Sequence, residues 1–197
     1  GPATRLVFDL DPGAGVSMRQ LCEVACAVRD LMDDVGLPTF PLTSGSKGLH
    51  IYARFATPVS PQGASTLAKR AAQQLEQAMP NLVTATMTKS LRHGRILLDW
   101  SQNSAAKTTI APYSLRGRTD PTVAAPRSWA EVEGGDLSQL RYDEVLDRVA
   151  RDGDLLDGLD EPVVLADRLT VYRSKRDVAK TPEPVPTAKP VAGNNDT

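Results

Sequence analysis

The sequence predicts an α+β fold of the split βαβ type (ferredoxin-like or RRM-like), in which helices cover one face of an antiparallel sheet and leave the other open. Three observations support this prediction. Residues 5–10 alternate apolar and polar side chains, as a half-buried strand requires. Residues 17–35 and 60–78 repeat apolar side chains at helical spacing. The signals follow one another as strand, helix, strand, strand, helix, strand.

Each predicted helix begins and ends at a recognisable signal. Ser17, followed three residues later by Gln20, forms a capping-box pattern, and Gly36 ends that helix. Ser60, followed by a proline, opens the second helix, and Pro80 ends it. The other predicted strands are residues 39–43, 49–55, 83–87 and 95–99, and two short helices are predicted near residues 128–131 and 142–151.

The composition predicts a globular protein. The chain has 197 residues and a net charge of −1, and no apolar run approaches the roughly 18 residues that a membrane span needs. No signal peptide is visible, which favours the cytoplasm. We expect a tag remnant and lead-in over residues 1–4, one domain over 5–160, a C-terminal extension over 161–173 and a proline-rich linker or disordered tail over 174–197.

Three aspartates are candidates for metal binding. Asp9 and Asp11 lie two residues apart at the end of the first strand, so both carboxylates project from one face. Asp99 ends a later strand in the same way. Carboxylate oxygens are ligands for Mg²⁺ or Mn²⁺, which can support phosphoryl transfer. The alternative is that the residues after Asp11 simply form a turn.

The segment between the second and third strands is a candidate phosphate-binding loop. It contains the sequence SGSKGLH at residues 44–50. Its two glycines allow close backbone approach, and its hydroxyls and lysine are donors that suit a triphosphate. An ordinary hairpin loop with an incidental lysine is the alternative. The spacing does not match that of a Walker A loop.

Charge is unevenly distributed along the chain. Between residues 84 and 119 the only acid is Asp99, among Lys89, Arg92, Arg95, Lys107, Arg116 and Arg118. Basic side chains around a metal-binding acid would neutralise phosphates, although exposed basic residues are more often plain solvated surface. The near-neutral net charge therefore does not exclude a nucleic-acid partner.

Four segments follow one another in the chain: FDLDP, SGSKGLH, TMTKSLRHGRILLDWSQN and KTTIAPYSLRGR. In this order they closely resemble the polymerase domain of bacterial ligase D, a member of the archaeo-eukaryotic primase superfamily. The resemblance runs from about residue 5 to residue 159. It implies a primase-polymerase catalytic subdomain. The family's domain also has an upstream subdomain, which we expect to be missing from this chain.

The resemblance also implies roles for particular residues. Asp9, Asp11 and Asp99 would be catalytic and would hold two divalent ions, Mn²⁺ or Mg²⁺. The remaining predicted nucleotide-binding residues would contact the triphosphate or the template; they are Ser44, Lys47, Gly48, His50, Lys107, Arg116 and Arg118.

The implied function is nucleotidyl transfer in bacterial non-homologous end joining. The family fills gaps and extends ends at DNA double-strand breaks, and it prefers ribonucleotides over deoxyribonucleotides. The implied partners are therefore gapped or broken DNA, NTPs or dNTPs, a Ku-type end-binding protein and the parent chain's ligase and nuclease domains, with no membrane. The implied location is the cytoplasm, at the bacterial nucleoid.

Three alternatives remain open from the sequence. A phosphatase of the haloacid-dehalogenase type also carries a DxD motif after its first strand, but it requires a parallel, doubly wound sheet. A non-catalytic RRM-like module fits the order of elements but needs aromatic residues on the open face. The chain could also be an inactive fragment of the polymerase.

Overall fold

Six strands and four α-helices occur within residues 1–104, 106–117 and 119–161, the residues that the computed structural model describes. The order of the first two helices and of the strands around them confirms the predicted split βαβ arrangement. The strands are β1 Ala3–Pro12, β2 Thr39–Thr43, β3 Leu49–Val59, β4 Val83–Thr84, β5 Ile96–Asp99 and β6 Ala125–Pro126. The helices are α1 Met18–Asp34, α2 Pro61–Ala78, α3 Trp129–Gly134 and α4 Tyr142–Asp152.

The strands form one sheet in the order β4-β5-β1-β3-β2-β6. Strand β1 lies at its centre and pairs antiparallel with both β3 and β5. Strand β6 extends the β2 edge antiparallel, whereas β4 pairs parallel with β5. The sheet is therefore mixed at one edge, which the prediction of an antiparallel sheet did not include.

The two faces of β1 have opposite surroundings. Leu6, Phe8 and Leu10 are fully buried in the main core, together with the apolar sides of α1 and α2. Because successive side chains of a strand point to opposite faces, Asp9 and Asp11 project from the other face. Burial of the apolar set against the helices therefore fixes which face carries the acids.

Both long helices begin at the predicted caps. Ser17 accepts the Gln20 backbone N–H, and the Gln20 side chain accepts the Ser17 backbone N–H, which completes the capping box. Ser60 accepts the N–H of Gly63 in front of α2. These caps satisfy N–H groups that have no partner within the helix.

Strand β4 is shorter than the predicted strand over residues 83–87. The Glu76 carboxylate accepts the N–H of Ala85, and the indole N–H of Trp100 donates to the Ala85 carbonyl. These side chains replace strand pairing at Ala85, so the ladder stops at Thr84.

Residues after α4 cover part of the open face. Leu156 and Leu159 pack there against Leu42 and Tyr52, while the end of β1 that carries the acids lies outside this cluster. Except for Glu161, the predicted extension and tail lie outside the described residues. None of the described helices is long and apolar enough to cross a bilayer.

Candidate active site

A row of polar side chains crosses the three central strands. Asp9 on β1 lies directly opposite Asp99 on β5 and directly opposite His50 on β3. Directly opposed residues of antiparallel strands place their side chains on the same face, with Cα atoms about 4.5–5.5 Å apart. The His50 Nε2 atom is 3.5 Å from Asp9 Oδ1. The pairing thus brings together three of the predicted site residues.

Asp11 continues this group by one step along β1. Its carboxylate is about half exposed, and Arg92 Nη1 lies 3.5 Å from Asp11 Oδ2. The pKa of Asp11 is raised, first by partial burial and then by the negative charge of Asp9, with a further contribution from Asp99. The guanidinium of Arg92 only partly offsets these effects. The fold therefore holds Asp11 beside acids that oppose its ionisation.

Asp99 is held in place by the 3₁₀ helix Trp100–Asn103 that follows it. Its Oδ1 atom accepts the backbone N–H and the hydroxyl of Ser101, at 2.8 and 2.6 Å. At the other end of this helix, the Asn103 side-chain amide accepts the N–H of Val7 and donates to its carbonyl, both at 2.8 Å. Asn103 thus replaces strand pairing where β5 has ended and fixes Asp99 against β1.

The donor set of this row suits a hard divalent cation. Its oxygens come from Asp9, Asp11 and Asp99, and a bound cation would relieve the repulsion that, in addition to partial burial, raises the pKa of Asp11. Within the described ranges, no three His, Cys, Asp or Glu side chains form a ready-made metal site. Lys107 Nζ lies 3.8 Å from Asp99 Oδ2 and supplies positive charge there.

The loop between β2 and β3 has a tightly bonded backbone. The Ser44 N–H donates to the Gly48 carbonyl at 3.0 Å, and Ser44 Oγ accepts the N–H groups of Ser46 and Gly48. A Cβ on Gly48 would lie 2.2 Å from the Leu10 carbonyl oxygen, so only glycine lets the loop lie this close to β1. Gly48 lies against Leu10 and Pro12, so the loop is placed beside the part of β1 that carries Asp9 and Asp11.

Two residues that lie far from this loop in sequence brace it. Arg116 donates from Nε and Nη2 to the Ser44 carbonyl, at 2.9 and 2.6 Å. Thr122 donates its hydroxyl to the carbonyl of Gly45. Arg116, predicted as a phosphate or template contact, therefore supports the loop in this structure.

The predicted site residues fall into three groups. The carboxylate row contains Asp9, Asp11, Asp99 and His50, with Lys107 near its end. The loop contains Ser44, Lys47 and Gly48, with Arg116 behind it. The last predicted residue, Arg118, lies outside the described residues.

Sequence reasoning missed Asn103 and Gln139 as site residues. Each acts across a long sequence distance, Asn103 on Val7 and Gln139 on Gly45 and Gly48. Asn103 lies in one of the segments that resemble the ligase D polymerase domain, but the resemblance implies no role for its side chain. No local pattern marks Gln139, because its partners lie more than 90 residues away.

The structure removes two of the alternatives. A haloacid-dehalogenase phosphatase requires a parallel, doubly wound sheet, whereas β1 is antiparallel to both of its neighbours. An RRM-like module needs exposed aromatic side chains on the open face. Tyr52, at the centre of that face, is buried beneath residues that follow α4.

A split βαβ sheet with aspartates on the open side of its central strand, next to a glycine-rich loop, defines a domain of the primase-polymerase class. The model of the LigD primase-polymerase domain family matches residues 1–156. The chain belongs to this family.

Known relatives agree with this assignment. The chain is 70% identical over 197 residues to the multifunctional non-homologous end joining DNA repair protein LigD of Mycobacterium tuberculosis, and 68% identical over 196 residues to LigD of Mycolicibacterium smegmatis. It covers 26% of the length of each. A solved structure of the polymerase domain of Mycobacterium tuberculosis ligase D in complex with DNA superposes with a TM-score of 0.80 at 72% identity. That match covers 81% of this chain and 56% of the other.

Proposed function

We propose that the chain is the catalytic part of a metal-dependent nucleotidyltransferase that fills gaps and extends DNA ends in bacterial non-homologous end joining. The observation that carries this proposal is the alignment of Asp99, Asp9 and His50 across three strands, with the loop of residues 44–48 packed against β1 at Leu10. Acids and a phosphate-binding loop on one open face are what transfer of a nucleotidyl group requires.

Asp9, Asp11 and Asp99 would hold two divalent ions, Mn²⁺ or Mg²⁺. Such ions, when bound, favour ionisation of an attacking hydroxyl and neutralise charge on the phosphates. The fit rests on the oxygen donors of the row and on the position of Asp11, whose pKa is raised by partial burial and then by the charges of Asp9 and Asp99. Ser101 orients Asp99, and His50 lies against Asp9 on the buried side of the row.

The loop would bind the triphosphate of an incoming NTP or dNTP. Lys47 is exposed, and the Ser44 hydroxyl accepts two backbone N–H groups, which leaves its proton free to donate to a phosphate oxygen. Lys107 and Arg118 would contact phosphates of the nucleotide or the template, and Arg116 would hold the loop. A preference for ribonucleotides is part of the proposal.

The DNA substrate would be a gapped duplex or a double-strand break. The solved relative bears DNA, and the basic segment around Asp99 suits a phosphate backbone. A Ku-type end-binding protein, together with ligase and nuclease domains, would act with this chain at the bacterial nucleoid, in the cytoplasm. The residue limits proposed for the domain, extension and tail are 5–160, 161–173 and 174–197.

The test is Mn²⁺-dependent addition of a labelled nucleotide to a gapped, 5′-phosphorylated duplex. We expect Asp99→Asn to lower the rate about 1000-fold, because it removes an anionic ligand of the divalent ions that would neutralise the reacting phosphates. Asp136→Asn, at an exposed acid outside the site, is the matched control. Addition that persists unchanged in Asp99→Asn would refute the assignment of this acid.

The same assay tests whether this chain is an inactive fragment. It would be run on the 197-residue chain and on a form extended to the length of the matched polymerase domain. Addition by both forms would show that the chain is sufficient. Addition by the extended form alone would support the fragment alternative.

A further inference from the structure

The side chain of Gln139 bridges the two ends of the loop between β2 and β3. Its Oε1 atom accepts the N–H of Gly45 at 2.7 Å, and its Nε2 atom donates to the carbonyl of Gly48 at 3.1 Å. The Gly48 carbonyl also accepts the N–H of Ser44. One amide therefore ties the first turn of the loop to its last residue.

Gln139 is itself held from both sides. Leu137, two residues before Gln139, and Leu140, directly after it, are buried in two different apolar clusters. The Leu140 carbonyl accepts the N–H of Val123 at 2.8 Å, and the Ser138 carbonyl accepts a guanidinium N–H of Arg127 at 2.9 Å. The Gln139 backbone is thus fixed before its side chain reaches the loop, so the bridge is pre-organised.

The bridge decides which donors of the loop remain available. The N–H of Gly45 is taken by Gln139, and those of Ser46 and Gly48 are taken by Ser44 Oγ. Among the described residues, the N–H of Lys47 has no acceptor. The Lys47 side chain is exposed, so this one residue offers both a backbone N–H and an ammonium. Backbone N–H groups and lysine ammonium groups are donors that bind anions.

We propose that Gln139 is a positioning residue for the triphosphate: it fixes the loop so that the backbone N–H and the ammonium of Lys47 bind phosphate oxygens together. The inference rests on the proposed function, because it assumes that the loop binds a triphosphate. Gln139 does not touch the nucleotide. It acts through the peptide groups of Gly45 and Gly48.

Calorimetric titration of the 197-residue chain with ATP and Mg²⁺, and separately with inorganic tripolyphosphate, tests this role. Gln139→Met keeps the length of the side chain but removes both hydrogen bonds. We expect it to weaken both ligands about tenfold, the combined effect of two ordinary hydrogen bonds. Ser138→Ala, whose exposed side chain lies next in sequence, is the matched control and should bind like the unsubstituted chain.

A second readout separates positioning from simple loss of stability. In NMR spectra of the unsubstituted chain, tripolyphosphate should shift the Lys47 amide strongly and the Gly45 amide weakly. In Gln139→Glu, which keeps the acceptor for Gly45 but loses the donor to Gly48, the Lys47 shift should shrink. This variant is the substitute if Gln139→Met does not fold.

Three results would overturn the inference. Binding by Gln139→Met as tight as that of the unsubstituted chain would show that the bridge does not matter. A triphosphate that shifts Gly45 but not Lys47 would show that the loop presents other donors. Absence of triphosphate binding by the unsubstituted chain would instead refute the proposed nucleotide site, and this inference with it.

Discussion

Acidic side chains occupy two contrasting environments in this protein. Glu131, on α3, lies between Arg127 and Arg148, with N–O distances of 3.1 and 2.7 Å, and it also accepts the N–H of Ser128. Partial burial alone would raise its pKa, but the hydrogen bonds from Arg148 and Ser128 and the charge of Arg127 outweigh it and hold the pKa at about 2. The negative charge of Glu131 is therefore balanced by two arginines of the same chain.

The acids on the open face of the sheet are in the opposite situation. Asp11 lies near Asp9 and Asp99, and its one arginine, Arg92, does not prevent its pKa from rising. Acids that repel one another lower the stability of the folded chain and favour the arrival of a cation from outside. The comparison indicates that an acid paired closely with arginines stabilises the fold, whereas acids set beside one another, with only longer contacts to Arg92 and Lys107, are suited to bind a cation.

The largest expected effect comes from removing the charge of Glu131. Glu131→Gln leaves the 7% exposed Arg127 without its anion, and we expect it to lower the free energy of unfolding at pH 7 by about 3 kcal/mol. Because the folded pKa is depressed, this stabilisation is present above pH 4.5 and is lost as the pH falls towards 2. Chemical denaturation of both proteins from pH 7 down to pH 2 measures this. A difference that does not shrink at low pH would contradict the explanation.

The next effect tests the link between the loop and the acids. Gly48→Ala places a methyl group within 2.2 Å of the Leu10 carbonyl oxygen, so the loop must move away from β1. We expect a loss of about 2 kcal/mol in stability, typical of an overpacked site, together with weaker triphosphate binding. The matched control is Gly134→Ala, where an added Cβ meets no atom within 4 Å. Equal stability of the two variants would show that the contact at Gly48 is not tight.

A smaller effect is expected at Arg92, the internal cation nearest to Asp11. Arg92→Gln removes positive charge 3.5 Å from the Asp11 carboxylate, so a divalent cation no longer competes with it. We expect Mn²⁺ to bind about two- to fivefold more tightly, the range for a partly exposed ion pair. Titration of Mn²⁺ into both proteins measures this, with Arg151→Gln, distant from the row, as the control. Weaker Mn²⁺ binding in Arg92→Gln would show that the arginine supports the cation site.

The smallest effect is expected at Asp11, where the substitution should raise the stability of the folded chain, whereas the substitution at Glu131 should lower it. Asp11→Asn removes a carboxylate whose ionisation burial and Asp9 oppose. Since the side chain is about half exposed, solvent screens much of the repulsion, and we expect the melting temperature at pH 7 to rise by about 1 °C. Thermal unfolding without divalent ions measures this. A clear fall in melting temperature would show that the pair with Arg92 outweighs the repulsion.

Much of the fold could be predicted from local signals. Apolar periodicity located α1 and α2, and the caps at Ser17 and Ser60 fixed where they begin. The extent of β4 could not be predicted, because Glu76 and Trp100 end it through contacts made only in the folded chain. Hydrogen bonds from side chains to the backbone leave no periodic pattern in the sequence, so local patterns predict a strand that is too long.

The candidate site likewise has one part that the sequence predicts and another that only the folded structure shows. Alternation along β1 determined by itself that Asp9 and Asp11 share a face, since the period of a strand is two residues. Only the pairing of β1 with β5 placed Asp99 opposite Asp9, some 90 residues away in sequence. That pairing depends on burial of the apolar face beneath two helices, which is a property of the whole sheet.

The sequence by itself therefore determined the class of fold and the family, and it predicted the chemical type of the site. The tertiary structure decided which charges meet and which side chains brace the loop. Arg116, which is predicted to contact a phosphate or the template, donates to the Ser44 carbonyl, and Gln139 joins Gly45 to Gly48. The physical reason is that short-range periodicity encodes which face a residue takes, whereas hydrogen bonds between distant segments form only when packing of the core has brought those segments together.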